Sequence, residues 1–520
     1  MPDKIAPKVI LTVALLAVSV SMPAAAVVLR TSVDSVGEVT LSCPTPGNWT
    51  FALEKQNLSD GVDVVTVRMK APKAEPPPVF DLSWLVSQRD AHHFWSSAST
   101  HYGIPWSAVH VSDISSELPL YAYLDANDHN RYTFSCSESC RRVEFRSPII
   151  ETKMAFAGSF RFFTSPEAPL SDYDVSIRFD TRDVFYSEAL AEASDWMCVS
   201  CDLDPLPAPE SAFDPLYSSW YTFHQRVSAD LVEEECALAA PLGMKTVILD
   251  DGWQIDQPLD DRKFGGYYLC GDWKAGRNFP DMAAHVRRIH QLGYKYMVWF
   301  SVPFVGEKSA NWERFKDKLL PDSCAGGWVM DPRFPEVRDF LISTYEQALA
   351  EWDIDGFKFD FIGRFTLKPG VADPAVAQGY AGRDIKSIPA AVDVLLTDVM
   401  TRLRTKKPGI LIEFRQPYIG PCIRKFGNMI RASDYPLLEG ESAAERVWGV
   451  YQPNLVVPTG SLDRPVYIVN GANTTDLPVD FAVPAIVEKF DTFGNPAGTE
   501  QVSAGLRRVS VPISGYLKVN

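Results

Sequence analysis

Several chemically informative features are scarce in this sequence. The 520 residues include only eight histidines, and none of them lies in a metal-protease or triad-like context. Basic residues are fewer than acidic ones, 50 against 66, which gives a formal net charge of -16. Such a charge repels polyanions on average, so we expect no nucleic-acid partner and no anionic membrane surface. A neutral ligand suits this chain better.

Long apolar runs are absent beyond the first residues, so no later segment could span a membrane. Lys4 and Lys8 precede an uncharged apolar run from Val9 to Val20, which is followed by Pro23 and three alanines. This layout is typical of a cleavable signal peptide. We therefore predict a signal peptide over residues 1–26 and a secreted or periplasmic protein, with an uncleaved anchor as the alternative.

Cysteine is also scarce, with nine residues in the chain. Two pairs are closely spaced, Cys136 with Cys140 and Cys198 with Cys201. Spacing of this kind can hold zinc, but disulfides are the simpler account in an exported protein. The odd count leaves at least one thiol free or paired outside the chain.

The chain divides into three parts by pattern. Residues 30–205 consist of short β-type runs separated by turns, which predicts a β-sandwich. The Pro-rich stretch from Asp202 to Pro215 resembles a linker. Strands and helices alternate over 206–452, which predicts a parallel sheet or barrel. Short extended pieces over 453–520 predict a C-terminal β-domain or the completion of the barrel.

Six strands and four helices are predicted in the central part. The strands are LYSSWYTF from Leu216, KTVILDDGW from Lys245, YKYMVWF from Tyr294, DGFKFDFI from Asp355, ILIEF from Ile410 and NMIRASD from Asn428. The helices follow Ser228 as far as Gly243, then run near Met282 to Leu292, Glu336 to Trp352 and Ser387 to Thr405. A closed barrel needs eight units, so the last two are not apparent, although NLVVP and PVYIV could serve as bare strands.

The stretch DGFKFDFI places two charges in an apolar strand. On a strand Lys358 and Asp360 project to one face, while Phe357, Phe359 and Phe361 project to the other. Buried charges require each other, water or a polar ligand. A structural ion pair and a ligand site both satisfy this requirement.

Carboxylates recur where the predicted strands end. They are Asp250, Asp251, Asp360, Glu413 and Asp434, and the C-terminal strand ends of a (β/α) barrel form its active-site mouth. Positive charge could come from Lys358, Arg333, Arg415 and Arg431, and flat apolar surface from Trp253, Trp273 and Trp299. Carboxylates beside tryptophans are what a sugar site needs, since hydroxyls bind charged acceptors and the sugar ring stacks on an indole.

Six motifs in this order carry a family resemblance: WYTFHQ, LDDGWQ, GDWKAGRNFPDM, DPRFPEVRDFL, DGFKFDFI and RASD. Over about residues 215–450 the chain resembles the melibiase-type α-galactosidases and their relatives, the raffinose synthases. The resemblance implies a (β/α)8-type barrel between a β-sandwich and a small β-domain. It also implies cleavage of terminal α-galactosyl groups from small carbohydrates, without a metal or organic cofactor.

The resemblance assigns residues to a retaining mechanism. Asp360 matches the nucleophile and Asp434 the general acid/base, while Asp250 and Asp251 match the pair that binds galactose hydroxyls. Lys358 and Arg333 match other sugar-binding positions, and Trp299 a wall of the pocket; Arg431 and Glu413 are further candidates for substrate contact. Alternatives stay open for several of them: Asp434 could be a helix N-cap, Asp250 or Asp251 could start a turn, and Glu413 could contact an arginine instead of sugar.

Two other functions fit the same motifs. A raffinose-synthase-like transferase would use the same aspartates but pass the galactosyl group to a sugar hydroxyl. A sugar-binding relative without activity would fit a barrel that lacks its last units.

Overall fold

The computed structural model describes most of the chain. The described residues are 25–97, 103–203, 206–240, 244–256, 266–368, 370–415, 421–431, 460–461, 464–468, 475–481, 483–490, 496–511 and 516–519. Residues 1–24 of the predicted signal peptide lie outside them. Among the described helices, none combines the length and the apolar character needed to cross a bilayer.

The N-terminal part is a β-sandwich, as predicted. Its strands are β1 (Val27–Val33), β2 (Gly37–Cys43), β3 (Thr50–Ser59), β4 (Val62–Glu75), β5 (Phe80–Ser87), β6 (His93–Ser96), β7 (Ser107–Ser112), β8 (Leu120–Leu124), β9 (Asn130–Cys136), β10 (Val143–Ile150), β11 (Ala155–Phe162) and β12 (Leu170–Asp180). They form two six-stranded sheets, ordered β1-β2-β5-β11-β10-β7 and β3-β4-β12-β9-β8-β6, with antiparallel pairing.

Alternation of buried and solvent-facing residues explains the packing of these sheets. In β5 every second residue from Phe80 to Val86 is buried, as expected for a strand with one face on a core. Trp84 from the first sheet contacts Phe134 and Phe179 of the second, with ring centroids 4.9 Å and 5.0 Å apart. A helix, α1 (Tyr186–Ser200), ends this part of the chain.

The central part contains the six predicted parallel strands. They are β13 (Leu216–Ser218), β14 (Thr246–Leu249), β15 (Lys295–Ser301), β19 (Gly356–Asp360), β20 (Leu411–Arg415) and β21 (Met429–Arg431), paired in this order. Every residue of β14 and β19 is buried, as in parallel sheets that are covered on both faces. Residues 432–459, which include NLVVP, lie outside the described residues.

The helices lie between these strands. They are α2 (Ser219–Phe223), α3 (Ala229–Ala239), α4 (Met282–Gln291), α5 (Trp312–Phe315), α6 (Pro335–Trp352), α7 (Pro374–Ala377), α8 (Ile388–Lys406) and α9 (Pro421–Arg424). Side-chain caps set the starts of two of them: Ser228, as the sequence predicts, accepts from the Leu231 amide at 3.4 Å, and Ser387 accepts from the Ala390 amide at 3.4 Å.

Two local predictions for this part were wrong or incomplete. The first strand ends at Ser218, and Ser219 to Phe223 is helical, because the Ser219 hydroxyl turns to accept a hydrogen bond from the Asp250 amide at 2.9 Å. A three-stranded antiparallel sheet also comes after β15, built from β16 (Phe304–Gly306), β17 (Leu319–Cys324) and β18 (Gly327–Met330), and was not predicted.

The predicted linker packs against the parallel sheet. Ala212, in a short 3-10 turn from Glu210 to Phe213, is fully buried in a cluster with Ile248, Met297, Leu411 and Met429, and the partly buried Ala208 packs against that cluster. The four larger residues of the cluster belong to the parallel strands. Much of this stretch therefore covers the sheet instead of serving as a free tether.

The C-terminal strands pair antiparallel. They are β22 (Gly460–Ser461), β23 (Arg464–Ile468), β24 (Thr475–Phe481), β25 (Ala485–Phe490), β26 (Pro496–Val502), β27 (Gly505–Val511) and β28 (Tyr516–Val519). β23 carries PVYI and pairs with β28. The alternative that PVYIV completes the parallel barrel was therefore wrong.

The predicted cysteine pairing was also wrong. Cys140 forms a disulfide with Cys422, which ties the loop after β9 to α9. Cys136, Cys198 and Cys201 carry free thiols. Proximity in sequence misled the prediction, because Cys136 is buried in the sandwich core while Cys140 lies beyond the strand end and faces the central part.

We expect this disulfide to stabilise the contact between the two parts. It closes a loop across a sequence separation of 282 residues, so its removal should lower the free energy of unfolding by about 2 to 4 kcal/mol. Denaturant unfolding of the double variant Cys140→Ser/Cys422→Ser against wild type measures this. Reductant should lower the stability of the wild type and leave the double variant unchanged; equal sensitivity of both proteins would contradict the assignment.

Candidate active site

Strand register brings the predicted residues into two layers on one face of the parallel sheet. Leu249 pairs with Val298, so Asp250 lies level with Trp299, which pairs with Lys358, which pairs with Glu413. One step further along the strands, Asp360 pairs with Ser301, and the backbone of Arg415 pairs with that of Arg431. Parallel strands in register place the side chains that β15, β19 and β20 contribute to these layers on the same face at the same edge.

The opposite face of β19 is apolar. The ring of Tyr345 on α6 lies 5.8 Å from Phe357 and 4.7 Å from Phe359, measured between centroids. Below the charged layers, Gly356 faces Leu411 so closely that a Cβ atom would lie 2.3 Å from the Leu411 carbonyl oxygen. The predicted alternation of charged and aromatic residues along β19 is therefore confirmed as far as Asp360.

Lys358 pairs with Asp250 and not with its strand neighbour Asp360. Its Nζ lies 2.7 Å from Asp250 Oδ2, and both side chains are buried. Residues two apart on a strand are separated by about 6.6 Å, whereas Asp250 lies in the same layer as Lys358, and its carboxylate meets the ammonium group across the intervening strand β15. Removing either partner would leave an uncompensated buried charge, which is strongly destabilising.

Asp251 is held by two glutamine amides. Gln225 Nε2 donates to Oδ2 at 2.6 Å and Gln254 Nε2 donates to Oδ1 at 2.7 Å. Burial raises the pKa of this carboxyl to about 6, against the lowering effect of both amides, and the charges of Asp250 and Asp360 add to the rise. The turn after Asp251 requires glycine, since Gly252 has φ +120° and a Cβ there would lie 2.7 Å from the Gln225 carbonyl oxygen.

Asp360 is oriented by donors on both of its oxygens. Trp299 Nε1 donates to Oδ2 at 3.0 Å, and the Phe361 amide donates to Oδ1 at 2.8 Å. Arg415 Nη1 lies 3.9 Å from Oδ1. These donors fix the orientation of the Asp360 carboxylate at the end of β19.

Phe361 leaves the pattern that the sequence predicts. Its backbone is left-handed, with φ 65°, an uncommon conformation for a bulky residue and one that clusters at functional sites. The turn directs its ring towards Tyr267 and Phe304, at centroid distances of 5.1 Å and 4.8 Å. The prediction that it shares the face of Phe357 and Phe359 was wrong, because the strand ends one residue earlier, at Asp360.

Arg333 does not join these layers through its side chain. Its guanidinium is fully buried and donates to both oxygens of Asp331, both oxygens of Asp373 and the Lys386 carbonyl, at 2.6 to 3.3 Å. All five of its N–H groups are thereby engaged. In this structure Arg333 supports the loops after β18 and β19, and its contact with sugar stays a prediction.

The remaining predicted residues lie at several places around this sheet. Glu413 is buried in β20 beside Lys358 in register. The backbone of Arg431 ends β21. Asp434 lies outside the described residues. Trp253 is a core residue, fully buried, with its indole donating to the Trp299 carbonyl at 2.9 Å.

Sequence reasoning missed Gln225, Gln254 and Tyr267. The two glutamines end the motifs WYTFHQ and LDDGWQ, so a signal was present. Tyr267 lies in a stretch that no strand or helix pattern covers, and only the fold brings it to this edge.

The melibiase family model matches residues 215–476, half of the chain, including every strand of the parallel sheet. The chain belongs to the melibiase family.

Individual relatives in this family are distant. The bifunctional α-galactosidase/sucrose kinase AgaSK of Mediterraneibacter gnavus is 24% identical over 206 residues, 38% of this chain and 20% of the relative. Alpha-galactosidase 2 of Pediococcus pentosaceus is 24% identical over 203 residues, 38% of this chain and 27% of the relative. The match thus spans about a quarter or less of these relatives.

Solved structures of melibiase relatives share the fold. The galactosidase domain of AgaSK superposes with a TM-score of 0.57 at 13% identity, covering 95% of this chain and 86% of that one. The GH36 α-galactosidase AgaB of Geobacillus stearothermophilus gives 0.55 at 15% identity, covering 81% of this chain and 60% of that one. These similarities extend through the sandwich as well as the parallel sheet.

Asp251 should make stability depend on pH. Its pKa is about 6 in the folded protein against an ordinary 3.8, so as the pH rises the unfolded chain releases this proton first and folding loses free energy between about pH 4 and 6. Asp251→Asn cannot ionise. The stability of this variant relative to wild type should rise by about 3 kcal/mol from pH 4 to pH 7.

Denaturant unfolding across this pH range measures the difference. Asp339→Asn, at an exposed carboxyl on α6, is the matched control and should show no such trend. A pH-independent difference for Asp251→Asn would contradict the assignment.

Proposed function

We propose that this protein is a retaining α-galactosidase-type glycoside hydrolase acting on small carbohydrates. The observation that carries the proposal is the carboxylate of Asp360, held by Trp299 on one oxygen and the Phe361 amide on the other, beside Arg415, in a melibiase-family chain. Solved relatives support the substrate class: one is a GH36 α-galactosidase in complex with raffinose and another is in complex with stachyose.

In this mechanism Asp360 attacks the anomeric carbon and forms a β-galactosyl ester, while the leaving-group oxygen takes a proton. Asp434 is proposed as the donor of that proton and, in the second step, as the base that activates water. Two carboxyls about 5 to 5.5 Å apart give this double displacement with net retention. The reaction conserves atoms: the glycosidic C–O bond breaks, and water supplies the new hydroxyl and a proton.

The remaining charged residues would bind the sugar. Asp250 and Asp251 have acceptor oxygens for hydroxyls, and Lys358, paired with Asp250, adds a donor. Since these side chains are buried and already oriented, little reorganisation accompanies binding. Trp299 would present its indole while holding Asp360 in place.

The wider architecture belongs to the same proposal. The parallel sheet would form part of a (β/α)8-type barrel, with its mouth at the carboxyl ends of the strands, and the strands beyond residue 460 a C-terminal β-domain. We also propose export from the cytoplasm, supported by the signal-like residues 1–26 and by the Cys140–Cys422 disulfide.

Azide rescue tests the two aspartates by stereochemistry. In Asp360→Gly, azide should replace the missing nucleophile, attack an activated aryl α-galactoside with inversion and give the β-galactosyl azide. In Asp434→Gly, azide should attack the galactosyl-enzyme and give the α-azide. Without azide, Asp360→Gly should lose at least about a thousandfold in kcat, and product NMR identifies the anomers. The same anomer from both variants, or retained turnover in Asp360→Gly, would refute the roles.

A product assay separates hydrolysis from transfer. With an aryl α-galactoside as donor and sucrose in large excess, transfer would give a galactosyl-sucrose; we expect free galactose as the main product, because water completes the second displacement. If transfer products exceed free galactose, the proposed hydrolase is wrong and the protein is a galactosyl transferase. Binding of galactose with no turnover of any α-galactoside would identify a sugar-binding protein instead.

A further inference from the structure

Tyr267 lies among the aromatic residues that border Asp360. Its ring is nearly parallel to the Trp299 indole, at 25° and a centroid distance of 6.4 Å, and lies 5.1 Å from Phe361 and 5.3 Å from Phe304. Its amide donates to the Ala325 carbonyl at 2.8 Å. The tyrosine is thus fixed both by its backbone and by three rings.

Two of these three rings belong to residues that bond Asp360 directly. Trp299 holds one oxygen of the carboxylate, and the amide of Phe361 holds the other. Tyr267 therefore contacts both supports of the proposed nucleophile. The left-handed turn at Phe361 is what brings the ring of Phe361 into this group.

The charges of nearby carboxylates also affect the pKa of the Tyr267 phenol. Burial raises its pKa above the ordinary value, and the charges of Asp251 and Asp360 raise it further. The hydroxyl is consequently protonated at neutral pH and can donate a hydrogen bond near the acceptor oxygens of Asp251 and Asp360. A phenol there offers an apolar face and a polar tip, which suits a sugar ring with its hydroxyls.

We propose that Tyr267 is a further catalytic residue, whose phenol O–H donates a hydrogen bond to the sugar bound between Asp251 and Asp360. This inference rests on the proposed function and adds a specific contact to it. Its alternative is a purely structural role, in which the ring only packs against Trp299 and Phe361. The two roles predict different results for a change that removes the hydroxyl and keeps the ring.

The substitution Tyr267→Phe makes that change, and the adjacent Tyr268→Phe is the matched control. Tyr268 is 37% exposed, and its ring faces Lys308 Nζ at 5.0 Å. In Tyr267→Phe we expect kcat/KM for an aryl α-galactoside to fall, and the inhibition constant of free galactose to rise, each about tenfold, the effect of one lost hydrogen bond. In Tyr268→Phe both constants should stay within about twofold of wild type.

Thermal unfolding of both variants should match that of wild type, since the rings are kept. Values of kcat/KM and of the galactose inhibition constant within twofold of wild type in Tyr267→Phe would overturn the proposal. If the wild type binds galactose without turnover, the proposed reaction fails, and the dissociation constant of galactose in the two variants still decides the role of Tyr267. If the wild type neither turns over nor binds galactose, both proposals fail.

Discussion

The buried ion pair between Lys358 and Asp250 is the interaction on which the candidate site depends. Two charges in a parallel sheet are tolerated only as a pair with further hydrogen bonds, and Asp250 receives these from the backbone amide of Asp251 and from Ser218. Because the pair joins two strands that are separated by β15, it spans the Trp299 position between them. The indole of Trp299 is then free to extend one layer further and hold Asp360.

In the parallel sheet, the apolar residues that stabilise the fold and the charged residues of the candidate site lie at different levels along the strands. Ile248, Met297 and Leu411 lie at one level of the sheet and pack with Ala212 and with Met429, which pairs with Glu413 one level further along. Charged residues of the other strands occupy the next two levels. Apolar packing at the first level fixes the strand register, and the register fixes which side chains meet at the strand ends. The stretch that resembled a linker therefore contributes to the site indirectly, by closing the apolar level beneath it.

The sandwich is attached to this sheet by a covalent bond as well as by packing. Cys422 lies in α9, directly before β21, so the disulfide anchors the element that leads into the last strand of the described parallel sheet. The covalent bond thus adds to the packing that holds the edge of this sheet.

Much of the fold could be read from the sequence where local physics decides. The cap at Ser228 predicted the start of α3, and the helical pattern near Ser387 to Thr405 predicted α8 closely. The alternation in GFKFD predicted which side chains of β19 face the site. Prediction failed where a distant contact overrides local preference. Ser219 ends its strand to bond Asp250, and Phe361 turns to join Tyr267 and Phe304.

By itself, then, the sequence determined the parallel strands, their order along the chain and the residue types at their ends, because propensity, capping and side-chain alternation act within a few residues. Only the tertiary structure decided the partners: Lys358 with Asp250, Gln225 and Gln254 with Asp251, Trp299 with Asp360, and Cys140 with Cys422. The partners in these pairs are remote in sequence, except Gln254, which lies three residues after Asp251. Strand register and packing, which no local pattern encodes, set their distances.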